Sequence, residues 1–264
     1  MKIIVAIKQV PDRDAPIRIG ASGKWIDESD IDWALNESDA YALEEALLLK
    51  EKSGDPASEV IVLSAGPERV GVTLREGLAK GADRGLHILA DDLAVRDALG
   101  VARLLAAAIT PEKPDLILTG LQSEDLGLGQ TGVILAELLS LPHASLILQV
   151  EVVADGNPQA HIRAKRELEE GWFQTIDLPL PALLTIQSGG NKLRYATLMG
   201  IKRAKTKECR VLTAADLAAP STPVVILTSV SLPHKQKSTQ ILTGSPAEAA
   251  AALVEKLKTE ARVL

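Results

Sequence analysis

The chain has 264 residues, of which 46% are apolar and 24% charged, and its formal net charge is −6. This is the balance of a globular protein, and the acidic sum together with few aromatics argues against a nucleic-acid binder. One cysteine, Cys209, excludes an intramolecular disulfide, and the four scattered histidines (His87, His143, His161, His234) lack metal-ligand spacing.

From the N-terminus, residues 3–7 form a continuous apolar run of the buried-strand kind. It is too short for a signal peptide, and no later run approaches the roughly 18 residues of a membrane span, so the chain reads as soluble and cytoplasmic, with no membrane insertion. Residues 11–35 are polar, broken by Pro11 and Pro16, and read as irregular. Ser38-Asp39 predicts a helix start, with Ser38 as the cap, leading into AYALEEALLLKEK. Then come a strand at 59–64, a helix at 68–80 opened by Gly66-Pro67, a strand at 85–89, a helix at 94–109, a strand at 115–119 and a helix at 131–139. Strict alternation of strand and helix predicts a doubly wound, mostly parallel α/β sheet.

After about residue 144 the pattern changes. Residues 144–153, 160–168, 171–178 and 181–187 read as successive strands, with a turn at 154–158, and predict an antiparallel extension of the sheet. Residues 188–224 show no periodicity and several Lys and Arg. Ser245-Pro246 opens an Ala-rich helix running toward residue 264, joined through irregular sequence like an arm. The division expected is a nucleotide-binding α/β domain over 1–207 and a C-terminal arm over 208–264.

GLGQTG at 127–132 matches the G-x-G-x-x-G dinucleotide fingerprint letter for letter. The fingerprint belongs directly after the first strand, whereas this stretch lies in the fourth strand–helix unit, some residues past the strand end. The long loop TGLQSEDLGLGQTG still has the physics of an anion site: glycines admit close approach, and the helix start offers free N–H groups. Those features alone leave two readings open, a phosphate cradle and a plain crossover loop. QSGGNK at 187–192 resembles a pyrophosphatase loop but lacks its Asp-Ser, and reads as a flexible turn. Arg166 and Glu167 occupy adjacent strand positions and face opposite sides, which suits Glu167 to a structural ion pair. No catalytic acid–base pair, triad or metal set is expected.

Eight segments in order resemble the β subunit of electron-transfer flavoprotein: VAIKQVPD, LNESDAYALEEALLLKEK, LSAGPE, LAKGADRG, LTGLQSEDLGLGQTG, KRELEEG, LPLPALLTIQ and NKLRYATLMGIKRAK. The resemblance implies a fold related to the adenine-nucleotide α-hydrolases and a heterodimer with an α subunit that holds most of the redox FAD. It implies AMP in this chain, held by Ala6, by Asn36, Glu37, Ser38 and Asp39, by Ala65, and by Gly120, Gln122, Asp125, Gly127, Gly129, Gln130 and Thr131. Leu126 and Gly127 depart from the acidic or small polar residues many members carry there. The Q-T-G ending resembles AMP-holding members, whereas bifurcating members, with FAD in place of AMP and NADH as reductant, are expected to carry Q-V-G.

The same resemblance implies that the stretch 191–203 docks partner dehydrogenases, with Leu198 as apolar anchor among Arg194, Tyr195, Ile201, Lys202 and Arg203. Taken without it, Leu198 reads rather as a loop residue tucked into its own core. A membrane-bound quinone oxidoreductase is the implied acceptor, and the redox chemistry would belong to the flavin rather than to this chain. A reading from another class is a stand-alone, ATP-binding stress-type regulatory protein.

Overall fold

The computed structural model describes residues 1–91, 96–153, 160–213, 215–217, 222–233 and 239–264. The chain divides into two compact units, Met1–Val230 and Ser231–Leu264. The first is built on a nine-stranded sheet: β1 (Lys2–Ala6), β4 (Glu59–Gly66), β5 (Arg84–Leu89), β6 (Leu116–Gly120), β7 (His143–Val153), β8 (His161–Glu167), β9 (Phe173–Pro179), β10 (Ala182–Ile186) and β11 (Cys209–Thr213). Their order is β11-β5-β4-β1-β6-β10-β7-β8-β9, with parallel pairing from β11 to β7 and antiparallel pairing from β7 to β9.

Successive residues of a strand face opposite sides, and β1 shows why both faces are covered. Ile3 and Val5 join one buried cluster with Leu43 and Leu47 of α1 (Glu37–Ser53) and Leu74 and Leu78 of α2 (Val70–Lys80). Ile4 and Ala6 join the other, with Leu104 and Leu105 of α3 (Ala98–Ile109) and Leu135 of α4 (Thr131–Leu138). The α/β class and the mostly parallel sheet are those the alternation predicts.

The antiparallel extension holds for β7, β8 and β9 but not for PALLTIQ. That segment, β10, returns to the middle of the sheet and pairs in parallel with β6 and with β7. Every residue of β10 is buried, and its near-continuous apolar run, broken only by Thr185, is that of a two-sided parallel strand. A small hairpin, β2 (Gln9–Pro11) with β3 (Trp33–Leu35), takes in part of the stretch expected to be irregular. The aperiodic stretch after 188 contains α5 (Leu198–Ala204) and β11, which extends the sheet beside β5.

Several boundaries also move. Asn36, not Ser38, is the N-cap residue of α1, and its side chain bonds elsewhere. Helix α3 begins after Asp97, whose carboxylate accepts from the Gly100 N–H at 2.8 Å, while residues 94 and 95 and the turn expected at 154–158 lie outside the described residues. In the second unit, α6 (Pro246–Thr259) carries the predicted cap as a reciprocal capping box between Ser245 and Glu248, and it ends five residues short of Leu264. Among the described residues no helix is long and apolar enough to cross a membrane.

Candidate functional site

From β1 the chain winds outward through β4 and β5, then crosses back to lay β6 on the other side of β1. The carboxyl ends of β1 and β6 therefore flank the point where the winding reverses, the place where open α/β sheets hold ligands. Three segments meet there: the residues after β1, the start of α1, and the loop 121–130 between β6 and α4.

Asp39 ties them together. Its carboxylate accepts from the Lys8 N–H at 2.8 Å and from the Gly120 N–H at 2.8 Å, so one buried side chain pins the ends of both central strands to α1. Burial pushes its pKa up to about 6, against the two N–H bonds and Lys8, which favour the anion. Gly120 lies so close that an added Cβ would sit 2.3 Å from Asp39 Oδ1 and 2.8 Å from the Asp39 nitrogen.

Asn36 reaches across to the loop. Its Nδ2 donates to the Gln122 carbonyl at 3.0 Å, and its Oδ1 accepts from the Glu124 N–H at 3.0 Å. Ser38 lies 3.4 Å, Oγ to Oγ, from Ser188 in the turn after β10. Asp125 faces Lys8 rather than an open cradle: Lys8 Nζ stands 2.7 Å from both carboxylate oxygens. Burial works against the Asp125 charge, yet the Lys8 ammonium and the hydrogen bonds from Lys8, Ser123 and the Leu126 N–H hold the carboxyl below its usual range.

Gly127 and Gly129 have φ of 61° and 62°, the left-handed conformation glycine adopts at no steric cost. Gly132 packs α4 closely on the sheet, where a Cβ would meet Thr119 Oγ1 and Thr185 Cγ2 at 2.7 Å. The third glycine thus does the packing work of the dinucleotide fingerprint, but β6 ends at Gly120 and residues 121–126 intervene before Gly127. The start of α4 is open. Gln130 makes no side-chain cap bond, and Ile134 is the first residue whose N–H finds a carbonyl of its own helix, that of Gln130 at 3.0 Å. The N–H groups of 131–133 are those a helix leaves for an outside acceptor.

The structure thus places Asn36, Glu37, Ser38, Asp39, Gly120, Gln122, Asp125, Gly127, Gly129, Gln130 and Thr131 on the start of α1, the end of β6 and the loop 121–130 that leads into α4, where the winding of the sheet reverses. Ala6 stands at the end of β1, and Ala65 one strand further out in β4. Sequence reasoning passed over Lys8, Arg13, Glu124 and Ser188. A lysine directly after a buried central strand was the available signal for the first.

A second exposed feature lies on α5. Tyr195 is 92% exposed, Leu198 88% and Met199 57%, so Leu198 is not tucked into the core. Ile201, Lys202 and Arg203 are exposed on the same short helix. Arg194 instead turns inward, donating from Nε and Nη2 to Glu44 and from Nη1 to Glu51 at 2.6 Å. That guanidinium holds the Glu51 carboxyl below its usual range. At the far end Lys207 Nζ donates to the Leu78 and Ala82 carbonyls, closing the end of α2.

Between these fastenings Gly200 touches α2, where a Cβ would fall 2.3 Å from the Ala79 carbonyl oxygen. Gly200→Ala is expected to cost about 1–3 kcal/mol of unfolding free energy through overpacking. Urea denaturation measures this, and an unchanged midpoint would mean that α5 shifts without cost. Glu167, expected in an ion pair, accepts from Gln187 Nε2, and Arg166 donates to Ser145 Oγ at 3.2 Å.

The fold defines an open α/β protein with the loops of its candidate site gathered at the reversal of its sheet. The electron transfer flavoprotein domain matches residues 24–217. The chain is 40% identical over 261 residues to the electron transfer flavoprotein subunit beta of Methylophilus methylotrophus, covering 97% of each. It is 35% identical over 264 residues to the mitochondrial subunit beta of Arabidopsis thaliana, covering 100% of each. It is 34% identical over 266 residues to the Homo sapiens subunit beta, covering 100% of this chain and 99% of that one. The chain belongs to the electron transfer flavoprotein family, as a β subunit. Membership carries the coarse role of a flavoprotein subunit in electron transfer.

Proposed function

We propose that this chain is the β half of a cytoplasmic heterodimeric electron transfer flavoprotein. It holds AMP as a structural ligand, helps the α subunit complete an FAD site, and docks dehydrogenases through residues 191–203. A membrane-bound quinone oxidoreductase takes the electrons onward. The observation that carries the AMP reading is the open start of α4 beside the sheet's reversal point. Residues 131–133 would receive the phosphate on their N–H groups, while Gly127 and Gly129 let the loop backbone come close. FAD supplies the redox chemistry when bound, and this chain's residues bind and orient.

Denaturing the purified protein and counting released nucleotides tests this. One AMP and one FAD per heterodimer support it. Two FAD without AMP would point to bifurcation, and ATP from a chain with no flavin-bearing partner would overturn the reading.

The exposure of Tyr195, Leu198 and Met199 supports docking, since apolar anchors carry most binding energy while flanking charges such as Lys202 and Arg203 raise encounter rates. Weak, small interfaces suit electron-transfer encounters. Leu198→Ala is expected to raise the KM of the assembled heterodimer for a reducing dehydrogenase about tenfold, with kcat little changed. Unchanged kinetics would remove the docking role. The segment 208–264, which begins with β11 and ends in α6 and its tail, is proposed to lie against the α subunit.

A further inference from the structure

We infer that Lys8 and Arg13 are positioning residues that latch the loop 121–130 over the nucleotide crevice and set how fast the nucleotide leaves. This rests on the AMP reading. Lys8 engages both other segments of the site with three separate groups. Its N–H donates to Asp39, its carbonyl accepts from the Asn36 N–H at 3.0 Å, and its ammonium holds Asp125 and lies 3.3 Å from Ser123 Oγ. Arg13 does the same from the outer side. Its Nε donates to Glu124 Oε1 at 2.9 Å and its Nη2 to Glu37, while the second Glu124 oxygen accepts from the Glu37 N–H at 3.3 Å.

Beside these two cations the loop is held near its start, by Asn36 on Gln122 and Glu124 and by the Leu121 N–H on the Ile186 carbonyl, which leaves the tip to Lys8. The apolar residues at its tip, Leu126 and Leu128, are 50% and 58% exposed, so no core burial anchors them. Among the described residues, the backbone bond inside the loop runs from the Gly127 N–H to the Ser123 carbonyl at 2.8 Å. Asp125, which the family resemblance implies as a ligand contact, and Glu124 are both occupied by these cations. The two basic residues also offset the charge of Glu37, Glu124 and Asp125 near a phosphate. Opening the loop requires breaking the ion pairs, and exposed pairs weaken with salt.

The test uses the full chain as purified, loaded with radiolabelled AMP and chased with excess unlabelled AMP at low salt and at about 0.5 M salt. Wild-type release is expected to speed up with salt. Lys8→Met is expected to speed release about tenfold at low salt and Arg13→Gln about threefold, both with a flattened salt dependence. Lys8→Arg is expected to restore most of the retention, which a loss of mere packing would not predict. Asp125→Asn breaks the main pair from the loop side and stands in if Lys8→Met folds poorly. Variants that release AMP at the rate of a retaining wild type would overturn the latch while leaving the AMP reading intact. A wild type that neither retains nor rebinds AMP would overturn both.

Discussion

Gly120→Ala is expected to lower the unfolding free energy by about 3 kcal/mol or more and to leave the purified protein without bound nucleotide. The added methyl would meet Asp39 Oδ1 at 2.3 Å, Ser38 Cβ at 2.7 Å and the Asp39 nitrogen at 2.8 Å. None of these is the free end of a flexible chain. Asp39 is buried and held by two N–H donors, and its nitrogen belongs to the first turn of α1. Relief would require α1 and β6 to separate at the point where they build the candidate site, so stability and the proposed ligand are lost together. Gly71→Ala is the control, because its Cβ meets nothing within 4 Å in α2, and alanine there is expected to be neutral or stabilising by up to about 1 kcal/mol. Urea denaturation with nucleotide analysis of both variants decides the matter. A Gly120→Ala protein with wild-type midpoint and a full complement of AMP would show that the contact is soft.

Asp39→Asn is expected to destabilise most at acid pH and progressively less toward neutrality. The native carboxyl titrates at about 6 because burial penalises its charge, whereas an unfolded aspartate titrates near ~3.9. Native protein thus binds more protons than unfolded protein between those values, and this group's contribution to stability falls as pH rises through the window. It is fully present below about pH 4 and lost above about pH 6, roughly 2–3 kcal/mol in all. Asparagine has one acceptor oxygen where two N–H donors need two, which costs about 1–3 kcal/mol at any pH. Denaturation of both proteins from pH 4.5 to 7.5 should show the gap narrowing by about 2 kcal/mol. A gap that widens would mean that the two N–H bonds and Lys8 outweigh burial and hold Asp39 as an anion.

The α/β class was legible because each early strand and helix carries its own period. The site was legible only in part. Asp39 looks in sequence like a helix-start acid interacting with the dipole, yet its work is to bond Lys8, 31 positions before it, and Gly120, 81 positions after it, and no local pattern encodes that. Asp125 sits in a recognisable motif, but its partner Lys8 lies in another motif far upstream. The place of β10 was open to inference, since a strand buried at every residue belongs inside a parallel sheet; its nearness in sequence to β8 and β9 suggested otherwise. Helix α5 is too short for a period to show, and half-exposed β11 lacks the apolar run that marks the central strands.

That placement of β10 bears on the order in which the protein can be completed as it is synthesised. Strand β6 leaves the ribosome well before β10, yet β10 is its neighbour on the side away from β1, and the first residue of the loop, Leu121, donates its N–H to the Ile186 carbonyl at 2.8 Å. Ser188, beside Ser38, follows at once. A nascent chain can therefore assemble β1, β4 and β5 early, but the candidate site at the reversal of its sheet stays unfinished until residue 186 has emerged. On the proposed AMP reading, nucleotide capture is thereby tied to a chain whose sheet is already nearly whole.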